Sequence, residues 1–461
     1  MALAQMSFLV NFVGAMFRIF IVVVLSAALL MGSCRDSSVI VGNGKQGPVV
    51  VAYVSGGQGK PLPDFGKVTH IDYAFGRIDS TFSGLSIENP PRFKEIADLK
   101  NEYNKTAQRK VFMQLSIGGW GSGRFSEMVT DTAYRHAFVA ACKKVVEDYG
   151  IDGIDLDWEY PSSGVAGISS APTDIDNFTL LVKELRNALG DGKLLTIATI
   201  STARFIDFKA VDPYIDFYNI MSYDMAVAPY HHAPLKRFET ELLRDSLIGN
   251  LRMGFGFMAY PSDSVVAQQY GQMYKTPVVL NADYFRQYAI QLQVKEKGQE
   301  FSVSDGSGAG GGSSPAESRI AGQCTTEEAV MMHIAAGLDP GKLVLGMPFY
   351  GKSGGGVDYP FQKQFEQTGQ LGEGFSVVWD EIAQVPYIAD KEGNLVYGFE
   401  NERSIRAKCR FAKEHHLLGA MYWEYCIDAG RPEPAGSGSG DLLTRNGLIN
   451  AVADEMLKAE Q

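Results

Sequence analysis

The run Ile151–Pro161 reads IDGIDLDWEYP, and its acidic and apolar side chains alternate with a period of two. Alternate positions of a β-strand point to opposite faces. Three acids would share one face of this strand: Asp155, Asp157 and Glu159. Three apolar side chains would share the other: Ile154, Leu156 and Trp158. The apolar face suits packing on helices, and the acids would then point into the interior of a barrel.

Eight short runs rich in β-branched and aromatic residues alternate with longer helical stretches from Val49 onward. They are VVVAYV, VTHIDYAF, KVFMQLSI, IDGIDLDW, LLTIATIS, DFYNIMSY, KLVLGMPF and LLGAMYWE. This alternation is typical of a parallel sheet with crossover helices. It predicts an α/β fold, a (β/α)8 TIM barrel that occupies residues 49–461.

Two long spacings interrupt the barrel pattern. The first, about residues 236–324, lies between the sixth strand and the helix before the seventh, and it contains the flexible tract GSGAGGGSSP. The second, about residues 353–402, contains strand-like pieces such as SVVWDEI. We expect a long insertion after strand 6 and a small α+β insertion between strands 7 and 8, beside the barrel mouth.

The overall charge limits the class of ligand. The chain has 461 residues, and its formal net charge is -11. There is no basic stripe to hold a phosphate backbone, so we expect no nucleic-acid partner. A neutral or cationic ligand fits this charge better.

The N-terminal segment predicts export. Arg18 is followed by the uncharged 16-residue run IFIVVVLSAALLMGSC, which is short for a membrane span of about 20 residues but suits a signal-peptide core. Its end resembles the cleavage box of bacterial lipoproteins. The resemblance implies a signal peptide over 1–33, acylation of Cys34, a tether over 34–48 and anchoring to a bacterial membrane, at the cell surface or facing the periplasm. An uncleaved anchor, cleavage elsewhere and translation from Met16 are the alternatives.

The other four cysteines are widely scattered: Cys142, Cys324, Cys409 and Cys426. They form no CxxC pair and no dense framework, so buried free thiols are favoured over disulfides or zinc ligands. The sequence predicts no metal and no cofactor.

The acids of the Ile151–Pro161 run point to catalysis. A barrel strand has no solvated face, and acids are rarely buried without a partner. Carboxylates about 7 Å apart along one strand cannot all ionise freely, so at least one pKa should be raised. Glu159 is nearest the carboxyl end of the strand, where barrel active sites lie, and is the candidate general acid. Asp152 has the wrong parity, so we expect it at the strand start in a supporting role.

The one-sided arrangement restricts the mechanism. A usual retaining glycosidase places two carboxylates about 5 Å apart on opposite sides of the scissile bond. Residues on one face of one strand approach a sugar from one side only. If no opposing carboxylate exists, the 2-acetamido oxygen of the substrate can supply the nucleophile.

The stretch DGIDLDWEYP resembles the DxxDxDxE signature of glycoside hydrolase family 18, which contains the chitinases. Further stretches agree in order, namely SIGGWG, MSYDM, LGMPFYGK and GAMYWEY. The resemblance covers nearly everything from Val49 to about Val452 except the first insertion.

The resemblance implies roles for individual residues. Glu159 would protonate the leaving oxygen and later activate water. Asp157 would hold the acetamido N–H of the substrate. Asp155 would share a proton or a hydrogen bond with Asp157. Tyr223 would be catalytic too and would donate its hydroxyl to the acetamido oxygen. The residues that would support Asp155 or line the same subsite are Tyr53, Ser116, Met221 and Asp224.

Aromatic residues complete the implied sugar site. Trp423 would form the floor beneath the distorted sugar. Tyr73 and Phe75 share a strand face by parity, and Trp120 follows the third strand in the SIGGWG stretch. These three aromatic residues and Gly119, which precedes Trp120, are candidate substrate contacts. One departure from the family is Asn219, where members often carry glutamine before the MxYD motif.

Three functions remain open. The first is hydrolysis of β-1,4 linkages between N-acetylglucosamine units of chitin or chito-oligosaccharides by a monomeric enzyme. The second keeps the chemistry but acts on the chitobiose core of N-glycans or on peptidoglycan. The third is a chitin-binding lectin without activity, although such proteins usually lack the acid that Glu159 supplies here.

Overall fold

A computed structural model describes residues 48–237, 239, 318–322, 324–354, 362, 365–366, 369, 371–431 and 443–458. The predicted signal peptide over 1–33, Cys34 and most of the first insertion lie outside these residues. None of the helices in the described ranges combines the length and apolar composition that a bilayer crossing requires.

Thirteen strands are described in chain order. They are β1 Val49–Ser55, β2 His70–Ile78, β3 Leu85–Ile87, β4 Phe112–Gly118, β5 Gly153–Asp157, β6 Leu194–Ile200, β7 Tyr218–Met221, β8 Leu343–Pro348, β9 Lys352–Ser353, β10 Ser376–Asp380, β11 Val385–Ala389, β12 Leu395–Gly398 and β13 Gly419–Trp423. The α-helices are α1 Pro90–Thr106, α2 Phe125–Thr130, α3 Thr132–Tyr149, α4 Asp174–Leu189, α5 Phe208–Val211, α6 Thr326–Ala335, α7 Glu402–Glu414, α8 Tyr425–Ala429 and α9 Gly447–Leu457.

Eight of these strands close into a barrel in the order β1-β13-β8-β7-β6-β5-β4-β2, with β2 pairing back to β1. Every pairing between barrel strands is parallel, and β3 adds an antiparallel edge to β2. Parallel neighbours need crossover connections, which the helices supply. The predicted (β/α)8 TIM barrel is confirmed.

The helix before β5 shows how the sequence places the acidic strand. The side chain of Asp131 caps α3 by accepting from the backbone N–H groups of Ala133 and Tyr134. Gly150 ends the helix with a φ of 59°, a left-handed conformation that glycine adopts at little cost. The chain therefore turns sharply, and β5 begins three residues later.

Asp152 fixes the beginning of that strand. Its Oδ2 accepts from Lys100 Nζ at 2.6 Å and from the Met113 backbone N–H at 2.8 Å. Lys100 belongs to α1 and is fully buried, whereas Met113 belongs to β4. Asp152 thus ties a helix and the neighbouring strand to the start of β5, the position expected from its parity.

A smaller antiparallel sheet lies between β8 and α7 in the chain, with the strand order β10-β11-β12-β9. Its apolar face surrounds Phe365, Ile388, Tyr397 and Phe399, which are buried. This sheet is the predicted small insertion between strands 7 and 8.

The described ends of the first insertion come together after β7. The Ser318 backbone N–H donates to the Arg237 carbonyl at 2.9 Å, and the Arg237 guanidinium donates to both carboxylate oxygens of Glu328 at 2.7 and 3.0 Å. Glu328 also forms a capping box with Thr325 at the start of α6. The segment therefore leaves and re-enters the barrel at one place, directly before α6.

Candidate active site

The alternation in β5 places two carboxylates inside the barrel. Asp155 and Asp157 are 0% and 4% exposed. Trp158 points the other way, and its ring stacks on Phe125 of α2 at 5.0 Å. Glu159 follows the strand by two residues and is only partly buried. The acids therefore line the barrel from its interior to its carboxyl-end mouth.

Two glycines let β4 approach the end of β5. A Cβ on Gly118 would lie 1.9 Å from the Asp157 carbonyl oxygen, and the φ of Gly118 is 130°. The Gly119 N–H donates to that same oxygen at 2.8 Å. A Cβ on Gly119 would lie 2.6 Å from the Phe75 ring. Side chains at either position would push the acid strand or the aromatic ring out of place.

Four donors surround Asp155. Its Oδ2 accepts from the hydroxyls of Tyr53 and Ser116, each at 2.8 Å. Its Oδ1 accepts from Thr196 Oγ1 at 2.6 Å and from Asn219 Nδ2 at 3.4 Å. Burial raises the pKa of Asp155, and these hydrogen bonds oppose the rise. These four donors therefore stabilise a negative charge on Asp155.

Asp157 is in the opposite situation. Its Oδ1 is buried and has no hydrogen-bond partner among the described residues. Burial raises its pKa well above the ordinary range, and the negative charges of Glu159 and Asp155 add to the rise. Because this oxygen has no hydrogen bond to break, the Asp157 carboxyl group can turn toward a polar group of a ligand.

Glu159 has the protonation expected of a general acid. Burial raises its pKa to about 7, with a further rise from Asp224, while a hydrogen bond from the Tyr160 hydroxyl at 3.1 Å opposes it. A carboxyl group with this pKa is substantially protonated near neutral pH and can also ionise in the same range.

The loop after β7 brings a second group of polar side chains to the mouth. Asp224 pairs with Lys352 Nζ at 2.8 Å, and His232 Nδ1 lies 3.5 Å from the same Asp224 oxygen. Burial acts to raise the pKa of Asp224, but His232 and Lys352 outweigh it and hold that pKa below its usual range. Lys352 begins the small sheet, so the insertion helps to set the charge of the site.

Aromatic rings lie beside these acids. Phe75 stacks on Trp423 with ring centres 5.3 Å apart and planes 20° apart. Tyr53 meets the same indole at 5.6 Å and 56°. Both Phe75 and Trp423 remain partly exposed, so the pair offers an apolar surface next to the buried carboxylates.

The family model of the glycosyl hydrolases family 18 matches residues 49–428. The chain belongs to glycoside hydrolase family 18. The matched range includes every site residue of the barrel described above, from Tyr53 to Trp423. The resemblance inferred from the acidic strand is confirmed.

Curated relatives of this family 18 chain include three chitinases. Chitinase A1 of Niallia circulans is 26% identical over 388 residues, which is 76% of this chain and 44% of the relative. Probable chitinase 2 of Drosophila melanogaster is 26% identical over 78% of this chain and 66% of the relative. The endochitinase of Manduca sexta is 25% identical over 78% and 59%. The chain thus spans roughly half to two thirds of the length of these relatives.

Solved structures agree on the fold. A family 18 N-acetylglucosaminidase from Paenibacillus barengoltzii aligns over 89% of this chain and 100% of its own, with a TM-score of 0.59 and 24% identity. The group IV chitinase of Ostrinia furnacalis aligns over 89% and 100%, with a TM-score of 0.61 and 22% identity.

One predicted contact of this family 18 site is wrong. Tyr73 and Phe75 do not share a face, because the pairing of β2 with β4 is irregular between Ala74 and Gly76. Tyr73 is fully buried against Phe93 of α1 at 4.9 Å, and its hydroxyl donates to the Glu88 carbonyl at 2.7 Å. It belongs to the layer between strand and helix, and only Phe75 reaches the site.

The remaining sequence candidates lie near the mouth. Met221 ends β7 and is 9% exposed, and Tyr223 follows it with partial exposure. Trp120 is 61% exposed in the loop after β4, where it is free to meet a ligand. Their contacts with substrate stay predictions.

Sequence reasoning missed several polar residues of the barrel interior and of its mouth. These are Asp72, Gln114, Thr196, His232 and Lys352. Asp72, Gln114 and Thr196 occupy positions whose side chains point into the barrel. A polar residue at such a position in an otherwise apolar strand is the sequence signal that could have identified them. No group of three or more His, Cys, Asp or Glu side chains suited to a metal ion occurs in the described part of the chain.

Proposed function

We propose that this protein hydrolyses β-1,4 linkages between N-acetylglucosamine units of chitin or chito-oligosaccharides. The observation that carries the proposal is the pairing of two unlike acids at the end of β5. Glu159 has a pKa of about 7, and Asp157 beside it is buried with an unpartnered Oδ1. One can deliver a proton, and the other can bind an N–H group.

The proposed reaction has two steps. In the first, Glu159 gives its proton to the glycosidic oxygen, the bond from C1 to that oxygen breaks, and the acetamido carbonyl oxygen bonds to C1. Asp157 turns to accept the acetamido N–H, and the Tyr223 hydroxyl donates to the acetamido oxygen. In the second, Glu159 takes a proton from water, whose oxygen bonds to C1 as the bond from C1 to the acetamido oxygen breaks and the acetamido group is restored. Configuration at C1 is retained over the two displacements.

The arrangement of carboxylates supports a nucleophile from the substrate. Asp155, Asp157 and Glu159 come from one strand and approach from one side. Asp224 lies in the loop after β7, but it is paired with Lys352 at 2.8 Å. A carboxylate held in such a pair is a weak nucleophile, so we assign Asp224 to binding sugar hydroxyls.

The choice of chitin rests on the aromatic surface and on the relatives. The Phe75–Trp423 pair offers a stacking platform for a neutral sugar ring. The three relatives named above are chitinases or probable chitinases. No observation in the described residues favours the chitobiose core of N-glycans or peptidoglycan over chitin.

A substrate panel tests this function. The purified full chain is offered chitin oligomers and a high-mannose glycopeptide, with Glu159→Gln as the matched blank. Cleavage of the oligomers by the wild type and not by the variant is expected. Exclusive release of intact N-glycans would replace the proposal with the second function, and tight oligomer binding without any cleavage would indicate a lectin.

We further propose that the protein is exported and anchored through acylated Cys34. The support is the uncharged run that follows Arg18 and the small residues immediately before Cys34. Acylation with two or more chains would give stable attachment to a membrane surface.

A further inference from the structure

A third buried carboxylate lies inside the barrel, on a different strand from Asp155 and Asp157. Asp72 of β2 is 0% exposed and points inward. Its Oδ1 accepts from Gln114 Nε2 at 2.8 Å, and its Oδ2 accepts from Asn219 Nδ2 at 3.1 Å. Gln114 and Asn219 come from β4 and β7 and are fully buried themselves.

Two hydrogen-bonded bridges connect Asp72 to Asp155 through a hydroxyl group, and Asn219 Nδ2 also contacts Asp155 Oδ1 directly at 3.4 Å. In the first, Gln114 Nε2 also donates to Thr196 Oγ1 at 3.1 Å, and Thr196 donates to Asp155 Oδ1 at 2.6 Å. In the second, Asn219 Nδ2 also donates to the Tyr53 hydroxyl at 3.2 Å, and Tyr53 donates to Asp155 Oδ2 at 2.8 Å.

The bridges have a direction. An amide nitrogen carries two hydrogens, so one can go to Asp72 and the other to a hydroxyl. A hydroxyl that accepts from an amide has its own hydrogen left for Asp155. Asp72, which accepts from both amides, thereby directs the hydroxyl hydrogens of Thr196 and Tyr53 onto Asp155.

The amide oxygens support this interpretation. Gln114 Oε1 and Asn219 Oδ1 are buried without a hydrogen-bond partner among the described residues. Each side chain therefore gives up one hydrogen bond in order to turn its nitrogen toward Asp72. Without an acceptor at position 72, Gln114 Nε2 would keep only the Thr196 hydroxyl, and Asn219 Nδ2 would keep only the Tyr53 hydroxyl and its longer contact with Asp155 Oδ1.

We propose that Asp72 is a positioning residue that orients these two bridges and so keeps Asp155 an ionised acceptor beside Asp157. This inference rests on the proposed glycosidase function, because Asp157 needs a partner of fixed protonation while it turns to the substrate. Asp72 touches neither the substrate nor the reacting atoms and acts only through Asp155.

The charges around Asp72 are few. The titratable groups that face it are Tyr53 from β1 and Asp155 and Asp157 from β5, with His70 two residues away on β2. Gln114 and Asn219 from β4 and β7 are not titratable. Burial raises the pKa of Asp72 and that of Asp157, and burial lowers the pKa of His70 to about 3. No salt bridge to Asp72, Asp155 or Asp157 occurs in the described residues, so this cluster depends on hydrogen bonds to hold a charge.

The test is the pH profile of kcat/KM for Asp72→Asn in the full chain, with a chitin oligomer as substrate. Asparagine keeps the size but offers one acceptor and one donor, so one bridge reverses and Asp155 loses a donor. A carboxylate with fewer hydrogen-bond donors has a higher pKa. We therefore expect the acidic limb of the kcat/KM profile, where Asp155 must ionise, to move up by about one pH unit. An unmoved limb would overturn the proposal. A downward shift would also overturn it, because it would show that Asp72 acts as a bare negative charge.

Two further variants keep the test independent of folding. Gln114→Met breaks one bridge without touching Asp155, and it must also raise the acidic limb. Asp174→Asn is the matched control, because Asp174 is equally buried and accepts from Ser126 Oγ at 2.8 Å, outside this cluster. We expect it to lower Tm and leave the acidic limb in place.

Failure of the proposed function would be recognised separately. Wild-type protein that cleaves no chitin oligomer would contradict that function and not the hydrogen-bond network. The network would then be tested by NMR titration of 13C-labelled aspartate carboxyls in wild type and Asp72→Asn. An Asp155 pKa that is unchanged or lower in the variant would overturn the role of Asp72.

Discussion

Gly118 and Asp157 approach so closely across β4 and β5 that a Cβ on the glycine would lie 1.9 Å from the aspartate carbonyl oxygen. The contact sets how far Asp157 and Glu159 reach into the mouth. Gly118→Ala should therefore lower kcat about 100-fold, the size of effect that a shift of about 1 Å has on a reacting group. Steady-state kinetics on a chitin oligomer measures it.

Gly192→Ala is the control for that change. A Cβ on Gly192 meets nothing within 4 Å, and its backbone is not in the left-handed region. Wild-type kcat in Gly118→Ala would show that the close contact does not place the acids.

The pKa of Glu159 predicts the alkaline side of the pH profile. Burial raises this pKa to about 7, and Glu159 must be protonated to act, so kcat/KM should fall as the pH rises through about 7. Tyr160→Phe removes the hydrogen bond that lowers this pKa, so its alkaline limb should lie higher than that of the wild type. Tyr134→Phe, at an exposed tyrosine, is the control. An alkaline limb that does not move in Tyr160→Phe would contradict the assignment of this limb to Glu159.

The same raised pKa predicts a pH-dependent stability. The folded pKa of about 7 exceeds the ordinary 4.5, so the stabilisation is fully present below about 4.5 and is lost as the pH rises through about 7. Glu159→Gln carries no charge, so its Tm should exceed that of the wild type at pH 8. The difference should shrink at pH 4. An equal gap at both pH values would reject the buried-charge explanation.

Tyr73 and Phe75 should behave differently although both were expected to touch the sugar. Tyr73→Phe removes the hydrogen bond to the Glu88 carbonyl and should cost about 1 kcal/mol of folding free energy without changing kcat or KM. Phe75→Leu removes the ring that stacks on Trp423 and should raise KM about 5-fold. Thermal unfolding and kinetics of both variants measure this. A raised KM in Tyr73→Phe would restore it as a ligand contact.

Membrane attachment is tested by Cys34→Ala. The variant cannot be acylated at position 34, so it should move from the membrane fraction to the soluble fraction after cell lysis. Cys142→Ala, at a buried free thiol of α3, is the control and should not change the distribution. Continued membrane retention of Cys34→Ala would contradict acylation at that residue.

The barrel and the acidic strand could be predicted from the sequence because side chains alternate between the two faces of a strand whose pairing is regular. Asp155 and Asp157 are two positions apart in β5, so spacing alone places them on one face, and Glu159 follows two positions beyond the end of the strand. The eight barrel strands could be predicted as well, because they are apolar runs separated by helical stretches of regular length.

The site residues that sequence reasoning misplaced or missed have a common physical cause, which is that their positions depend on contacts between distant segments of the chain. The irregular pairing near Ala74 moves Phe75 to the inner face, and no local residue signals it. Asp72, Gln114 and Thr196 are single polar residues in separate strands, and only the register between the strands shows that they meet. Lys352 reaches Asp224 from a different segment, a contact that depends on how the small sheet packs.

The central claim is that the substrate supplies its own nucleophile. Its most direct test compares two oligosaccharides that differ only in the 2-substituent of the sugar at the cleaved bond, one with the acetamido group and one with a hydroxyl. We predict turnover of the first and none of the second above the rate of Glu159→Gln. Comparable turnover of both would contradict the mechanism and direct the search to a carboxylate nucleophile such as Asp224.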